Sequence, residues 1–270
     1  MRQERIRTAR AVWYGWGVRA DTSRTPQASG RGVDRLPDGP DRDDELAALY
    51  AWPTATPHVR ANMITSLDGG AALDGRSGGL GNEADRELFA VLRDLADVIL
   101  VGAGTVRTEQ YGGIRFDPDR LARRRRWGRS EQPPPIAVVT RRGLDADLPL
   151  FTDTQTRPIV ITPQAAAERV PPTADALIAG TDEVDLAAAV RGLADRGLGR
   201  IHCEGGPALL GDLIARDLLD ECCLTIAPVL LGSAATRLLP IDLAAPVAWT
   251  PALLRIGGAH LFARYLREAA

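Results

Sequence analysis

The chain has 270 residues, a formal net charge of −2, 45% hydrophobic and 25% charged residues. That is enough chain for one large or two small domains with a substantial core, and a balance that gives no reason to expect nucleic acid or a membrane surface as partner. No apolar run approaches the roughly 20 residues that span a bilayer, and MRQERIRTAR at the start lacks the apolar core of a signal peptide.

All 33 basic residues are arginine. Schiff-base catalysis by lysine and a Walker-type phosphate lysine are therefore excluded. Any phosphate bound here is held by guanidinium or backbone N–H groups. Cys203, Cys222 and Cys223 lack CxxC spacing and lie in apolar runs, so they read as small buried hydrophobes in a reducing cytoplasm rather than disulfide or zinc ligands.

Residues 1–41 are rich in Ser, Thr, Gly, Pro, Asp and Arg without periodicity, and read as a detached tail or mis-called start. From Asp43, DDELAALYAWP predicts a short helix with an acidic first turn, ending near Pro53. HVRANMITSLDG (58–69) predicts a first strand that stops at an Asp-Gly turn. GGLGNEADRELFAVLRDLAD (78–97) predicts an amphipathic helix from near Asn82, with Leu88, Phe89, Leu92 and Leu95 on one face. A buried strand, ADVILV, then runs directly into Gly102, Gly104 and Thr105. Strand, small residues and helix start are the pattern of a phosphate or dinucleotide site, because glycines admit a ligand to the backbone and helix-start N–H groups attract anions. A ligand-free tight turn reads the same way.

FDPDRLARRRRWG (116–128) reads as a solvated basic helix or loop. IAVVT (136–140), PIVIT (158–162) and DALIAG (175–180) predict three more strands, with a helix in DLAAAVRGLADRG (185–197). RIHCEGGPALLG repeats the strand–glycine–helix pattern at 200–211, with Pro207 in the first helical turn and the carboxylate Glu204 at the strand end. Beside an anion Glu204 would be repelled, so it faces a sugar hydroxyl or the reacting end of a substrate, or else a structural hydrogen bond. DECCLTIAPVLLG and HLFARYL predict late strands without a crossover helix between them, hence an antiparallel edge. The whole predicts an α/β fold: a mixed, mostly parallel sheet flanked by helices, with antiparallel C-terminal strands.

TRRG (140–143) follows a strand, and Arg141 or Arg142 there could take the 2′-phosphate of NADP. His58 and His202 fall within strands and read as structural, and no metal cluster or serine–histidine motif is present in the sequence.

NMITSLDG, VGAGTVRTEQYGGIR and EGGPALLGDLIARDLLDECCLTIAPVLLGS together resemble the pyrimidine reductase family of riboflavin biosynthesis, over roughly residues 55–267. That family includes the reductase half of the bifunctional deaminase–reductase and has a dihydrofolate-reductase-like fold. The resemblance implies a single reductase domain over 42–270, NADPH as hydride donor, a small-molecule substrate and a homodimer. It gives Gly79, Gly102, Gly104, Thr105, Glu109, Thr140, Arg141, Gly205, Gly206, Pro207, Ala208 and Leu209 to the cofactor. It gives Ser66, Asp68, Ser77, Arg93, Arg115 and Glu204 to the ribosylamino-pyrimidine phosphate, with Arg93 and Arg115 as two guanidinium forks for the phosphomonoester. The reaction so implied reduces the ring-opened ribose of 5-amino-6-(5-phosphoribosylamino)uracil to a ribityl chain, with Glu204 or a water as candidate proton donor. Two departures fall at the substrate end: Asn62 stands where the family often has Lys, and Glu109–Gln110 where it often has an Asp pair. The zinc deaminase signature is absent from the sequence. A dihydrofolate or dihydropterin reductase and a non-catalytic NADPH-binding regulator are the alternative readings.

Overall fold

The computed structural model describes residues 33–72 and 76–268. Most of the expected tail, residues 1–32, lies outside the described residues. Residues 33–41 do not stand apart: Leu36 N donates to Ile256 O at 2.9 Å and its side chain is buried.

A nine-stranded sheet runs in the order β5-β4-β3-β2-β6-β1-β7-β9-β8. The strands are β1 (His58–Ser66), β2 (Val98–Gly102), β3 (Ile136–Val139), β4 (Ile159–Thr162), β5 (Asp175–Ile178), β6 (Arg200–Cys203), β7 (Glu221–Ala227), β8 (Trp249–Gly257) and β9 (His260–Arg267). From β5 across to β7 all pairings are parallel. β9 pairs antiparallel with β7, and β8 antiparallel with β9. Parallel strands covered on both faces must be apolar on both, which is why VILVG, IAVV and IVIT read as continuous runs.

Alternate residues build cores on both faces of the sheet. One face, with Val59, Ala61, Leu100 and Ile201, packs on α6 (Leu186–Ala194) and α7 (Pro207–Ala215). The other face carries two separate clusters. Ile99, Val101 and Val138 pack on α3 (Ala103–Thr108) and α5 (Pro149–Thr152). Cys223 and Phe262 pack on α1 (Arg42–Leu49) and α2 (Glu83–Leu95).

Between those two clusters the sheet is polar. Arg60 and Glu221 are fully buried partners across β1 and β7. Arg60 Nε lies 2.6 Å from Glu221 Oε1, Arg264 Nε donates to the same oxygen at 2.7 Å, and His58 Nε2 lies 3.2 Å from Oε2. Burial alone raises the Glu221 carboxyl; the His58 hydrogen bond and the Arg60 and Arg264 charges override it and hold it well below the usual carboxylate range.

Two expectations are corrected. The basic segment forms α4 (Pro118–Arg126) but is not simply solvated: Arg123 donates to the buried Asp94 carboxylate at 2.6 Å, and Arg124 is buried and donates to Ala96 O at 3.1 Å. The late strands number three, because β8 forms an edge that its Pro251 and its outward residues disguised in the sequence. The antiparallel C-terminal edge itself is as expected.

Replacing Glu221 with Leu leaves Arg60 and Arg264 without their anion. The expected loss is about 3–5 kcal/mol in chemical denaturation near neutral pH. Because the folded carboxyl is depressed, the wild-type contribution is complete above the ordinary carboxylate range of about 4 and drains as pH falls below it. An unchanged unfolding midpoint in Glu221→Leu at pH 7 would overturn this account.

Candidate active site

The chain order sends β6 into the gap between β2 and β1. The two glycine-bearing strand ends thereby meet at the carboxyl edge of the parallel strands, where connections diverge to either side of the sheet. Glu204 N donates to Leu100 O at 2.9 Å and Gly102 N donates to Gly205 O at 2.8 Å. Gly205 has φ +80, a conformation side chains rarely adopt, and the Gly205–Gly206 peptide is cis. A Cβ on Gly206 would lie 2.6 Å from Thr105 Oγ1, whereas one on Gly104 would meet nothing within 4 Å. Gly102, Gly104, Thr105, Gly205 and Gly206 therefore form one surface, with the starts of α3 and α7 side by side; Pro207, Ala208 and Leu209 are the first turn of α7.

Thr140, at the end of β3, is buried; its hydroxyl donates to Gly143 O at 3.0 Å, closing the turn. Arg107 of α3 donates to the same carbonyl at 3.1 Å, and Arg169 donates to Arg142 O at 3.4 Å. Arg141, the side chain singled out by the family pattern, is exposed and paired with Glu183 at 2.9 Å. Arg142 forms no ion pair among the described residues. The turn thus gathers Arg107, Arg142 and Arg169 around one backbone loop.

At the other end of the surface, Arg93 in the last turn of α2 grips Glu204 with both prongs, Nε to Oε1 and Nη2 to Oε2, each 2.6 Å. Tyr111 donates its hydroxyl to Oε2 at 2.7 Å. The Arg93 guanidinium lies 4.3 Å from the Phe89 ring centroid and 5.6 Å from that of Tyr111. Burial by itself raises the Glu204 carboxyl, but the Arg93 charge and the donated hydrogen bonds outweigh it, so the group is held ionised. An ionised carboxylate accepts and does not donate, which removes Glu204 as the proton donor considered from sequence. Behind it His202 is fully buried, with neither ring nitrogen hydrogen-bonded to the protein and Nε2 3.8 Å from Glu204 Oε1. Burial lowers its pKa to about 4, so it is neutral.

Ser77 and Glu109, assigned by the resemblance to opposite ends of the ligand pair, meet directly: Ser77 N and Oγ both donate to Glu109 Oε1 at 2.9 Å. Gly79 is exposed in the turn that follows. Ser66 donates to Asp68, whose carboxylate also accepts from Gly232 N at 2.7 Å and Leu231 N at 3.1 Å. These bonds, the Ser66 hydroxyl first, lower the Asp68 pKa to about 2. Asp68 thus anchors the 228–238 loop beside β1. Arg115 is exposed and paired with Asp153, on a different carboxylate from Arg93, so the two expected forks are not converged here. Among the described residues no group of His, Cys, Asp and Glu could hold a metal ion. Tyr111 was not singled out from sequence, where an aromatic two residues beyond Glu109 was the available signal; of the two TRRG arginines considered there, Arg142 is the one without an ion pair among the described residues.

Residues 57–263 match the RibD C-terminal domain model. The chain belongs to the RibD C-terminal domain family. It is 27% identical over 181 residues to the 2,5-diamino-6-ribosylamino-4(3H)-pyrimidinone 5′-phosphate reductase of Archaeoglobus fulgidus, covering 65% of this chain and 82% of that one. It is 30% identical over 189 residues to riboflavin biosynthesis protein RibD of Mycobacterium tuberculosis, covering 70% of this chain but only 47% of that longer protein. The fold superposes on a pyrimidine reductase-like protein from Corynebacterium diphtheriae with TM-score 0.73 at 28% identity, covering 83% of this chain and 99% of that one.

Asp68→Ala removes the acceptor of two loop amides. Hydrogen exchange at Leu231 and Gly232 is expected to accelerate at least about tenfold, with amides of β2 and β3 unchanged. Unchanged protection at Leu231 and Gly232 would mean that the loop is held by something else.

Proposed function

We propose that this RibD-family chain is an NADPH-dependent reductase of a ribosylamino-pyrimidine 5′-phosphate, converting its ring-opened ribose to the ribityl form in riboflavin biosynthesis. The observation that carries the reading is the joined glycine surface, flanked on one side by an arginine-rich turn and on the other by the Arg93–Glu204–Tyr111 cluster. Support for a dinucleotide here is that a Cβ on Gly104 would meet nothing within 4 Å, and that Gly102 and Gly206 immediately precede the starts of α3 and α7, whose N–H groups suit an anion. Arg142, helped by Arg107 and Arg169, suits the 2′-phosphate that distinguishes NADPH from NADH better than the paired Arg141 does. Bound there, the reduced nicotinamide would supply the hydride for a carbonyl or imine carbon.

The chain's own share is positioning. Glu204, buried and filled by Arg93 and Tyr111, holds the Arg93 guanidinium, and Arg93 faces the anionic end of the substrate. No protein nucleophile is required, so alignment of two bound molecules is the main catalytic contribution. The proton that follows the hydride comes from a group other than Glu204.

No helix among the described residues is long and apolar enough to cross a membrane. We place the reaction in the cytoplasm, the compartment that suits three unpaired thiols. The protein acts as a homodimer in this reading, and the exposed Leu67, Val229 and Leu230 beside the site are apolar surface of the kind a second copy covers.

The test is oxidation of NADPH by the purified protein, followed by absorbance, with 2,5-diamino-6-ribosylamino-4(3H)-pyrimidinone 5′-phosphate, its deaminated counterpart and dihydrofolate in parallel. Turnover of a pyrimidine phosphate is expected, with Arg142→Ala raising KM for NADPH roughly tenfold and leaving that for NADH nearly unchanged. Turnover of dihydrofolate alone would replace the substrate. NADPH binding with no turnover of any of the three would replace the enzyme reading with that of a regulator.

A further inference from the structure

Arg93 is committed to Glu204 through Nε and Nη2, and its Nη1 has no protein partner among the described residues. The side chain is 22% exposed, while that of Glu204 is 2% exposed. A buried carboxylate thus holds one edge of a guanidinium whose other edge is available to solvent. Glu204 Oε2 would be underfilled by Arg93 alone; the third donor is Tyr111, from the segment just after α3. Its hydroxyl fixes the rotation of the carboxylate plane, and the plane of a bidentate pair fixes the guanidinium.

We infer that Tyr111 is a positioning residue: acting through Glu204, it aims the free edge of the Arg93 guanidinium at the phosphate of the substrate. This rests on the proposed function for the identity of the substrate; the role assigned to Tyr111 needs only a phosphate group at the free edge of Arg93. The groups that face Glu204 are Arg93 from α2, Tyr111, and neutral His202 from its own strand; Arg60 and Glu221 stand behind His202, and Glu109 acts on Tyr111. Among these Tyr111 is the only one that reaches the carboxylate as an uncharged donor. Its phenol is pushed well above its ordinary value, by burial first and by the neighbouring Glu204 charge second, so it is a donor throughout the working pH range.

The experiment is Tyr111→Phe, which keeps the ring against Arg93 and removes only the hydroxyl. Inorganic phosphate is titrated into wild type, Tyr111→Phe and Glu204→Gln by calorimetry, with NADPH binding measured alongside. In Tyr111→Phe, phosphate affinity is expected to fall roughly tenfold, the loss of one hydrogen bond to a charged group, while NADPH affinity stays within about twofold. With a turned-over pyrimidine phosphate, KM rises by the same factor and kcat changes by less than about threefold. The acid limb of kcat/KM moves to higher pH, because the carboxylate loses a donor that favours its ionised form. In the Glu204→Gln background the same tyrosine change is expected to add little, since both act through one carboxylate.

Equal phosphate affinity in wild type and Tyr111→Phe would overturn the inference, as would fully additive losses in the double variant. A fall in kcat with unchanged KM would also overturn it, and would make Tyr111 the proton donor. Failure of every pyrimidine substrate would count against the proposed function alone, because the phosphate titration decides the role of Tyr111 without turnover.

Discussion

A carboxylate taken out of water must be answered by positive charge or hydrogen-bond donors, and one face of this sheet buries two of them. Glu221 and Glu204 lie on the same face of the sheet, two strands apart, on β7 and at the end of β6. Each is met by donors from two different elements. Glu221 draws Arg60 from β1 and Arg264 from β9, joining the parallel body of the sheet to its antiparallel edge. Glu204 draws Arg93 from α2 and Tyr111 from beyond α3, joining the carboxyl edge of the sheet to the helical layer. The polar band that separates the two hydrophobic clusters on this face is the consequence. With no lysine in the chain, planar forks make these contacts, and a fork fixes orientation as well as charge.

Asp94, the residue after Arg93, extends the same logic outward. It is buried and receives Arg120 and Arg123 from α4. The end of α2 therefore presents one residue to the candidate site and the next to a stabilising helix. Movement of α4 would be felt at Arg93 through a single peptide unit, so the basic segment acts as a support for the site although it touches no ligand position.

Much of the architecture was readable from residue order because its strands are parallel and doubly buried. VILVG, IAVV and IVIT read as interior strands, and the helices before, among and after them carry their own start signals: Asn82, Asp117 and Asp185 cap α2, α4 and α6 with side-chain oxygens. Edge structure was harder to read. β8 contains a proline and turns much of its length to solvent, so neither periodicity nor propensity marks it. The glycine surface was readable because Gly102 and Gly205 follow strands and precede helices. What could not be read was which charges are already matched. Arg93, Arg115 and Arg141 look alike as free cations in a sequence; in the fold each has a carboxylate, contributed by residues 111, 38 and 42 positions away. Pairing across such separations depends on register and helix placement, which short motifs do not encode.

Those pairings bear on how a reductase differs from a binder on this scaffold. Hydride transfer asks the protein for no nucleophile and, here, offers no ionisable acid in the ordinary carboxylate range at the strand end. Glu204 is held ionised and His202 neutral, so the charge pattern of the site is fixed across the neutral range rather than poised to titrate. A site of that kind favours one orientation of an anionic, hydroxylated substrate and changes little as the reaction proceeds. Preorganisation of this sort lowers a barrier when the second reactant is stacked against the first, and contributes only affinity when it is not. Whether the scaffold acts as catalyst or receptor is therefore decided by the distance between the glycine surface and the Arg93 cluster. These two features are joined by the single step from Glu204 to Gly205, which leaves little room for them to be set apart.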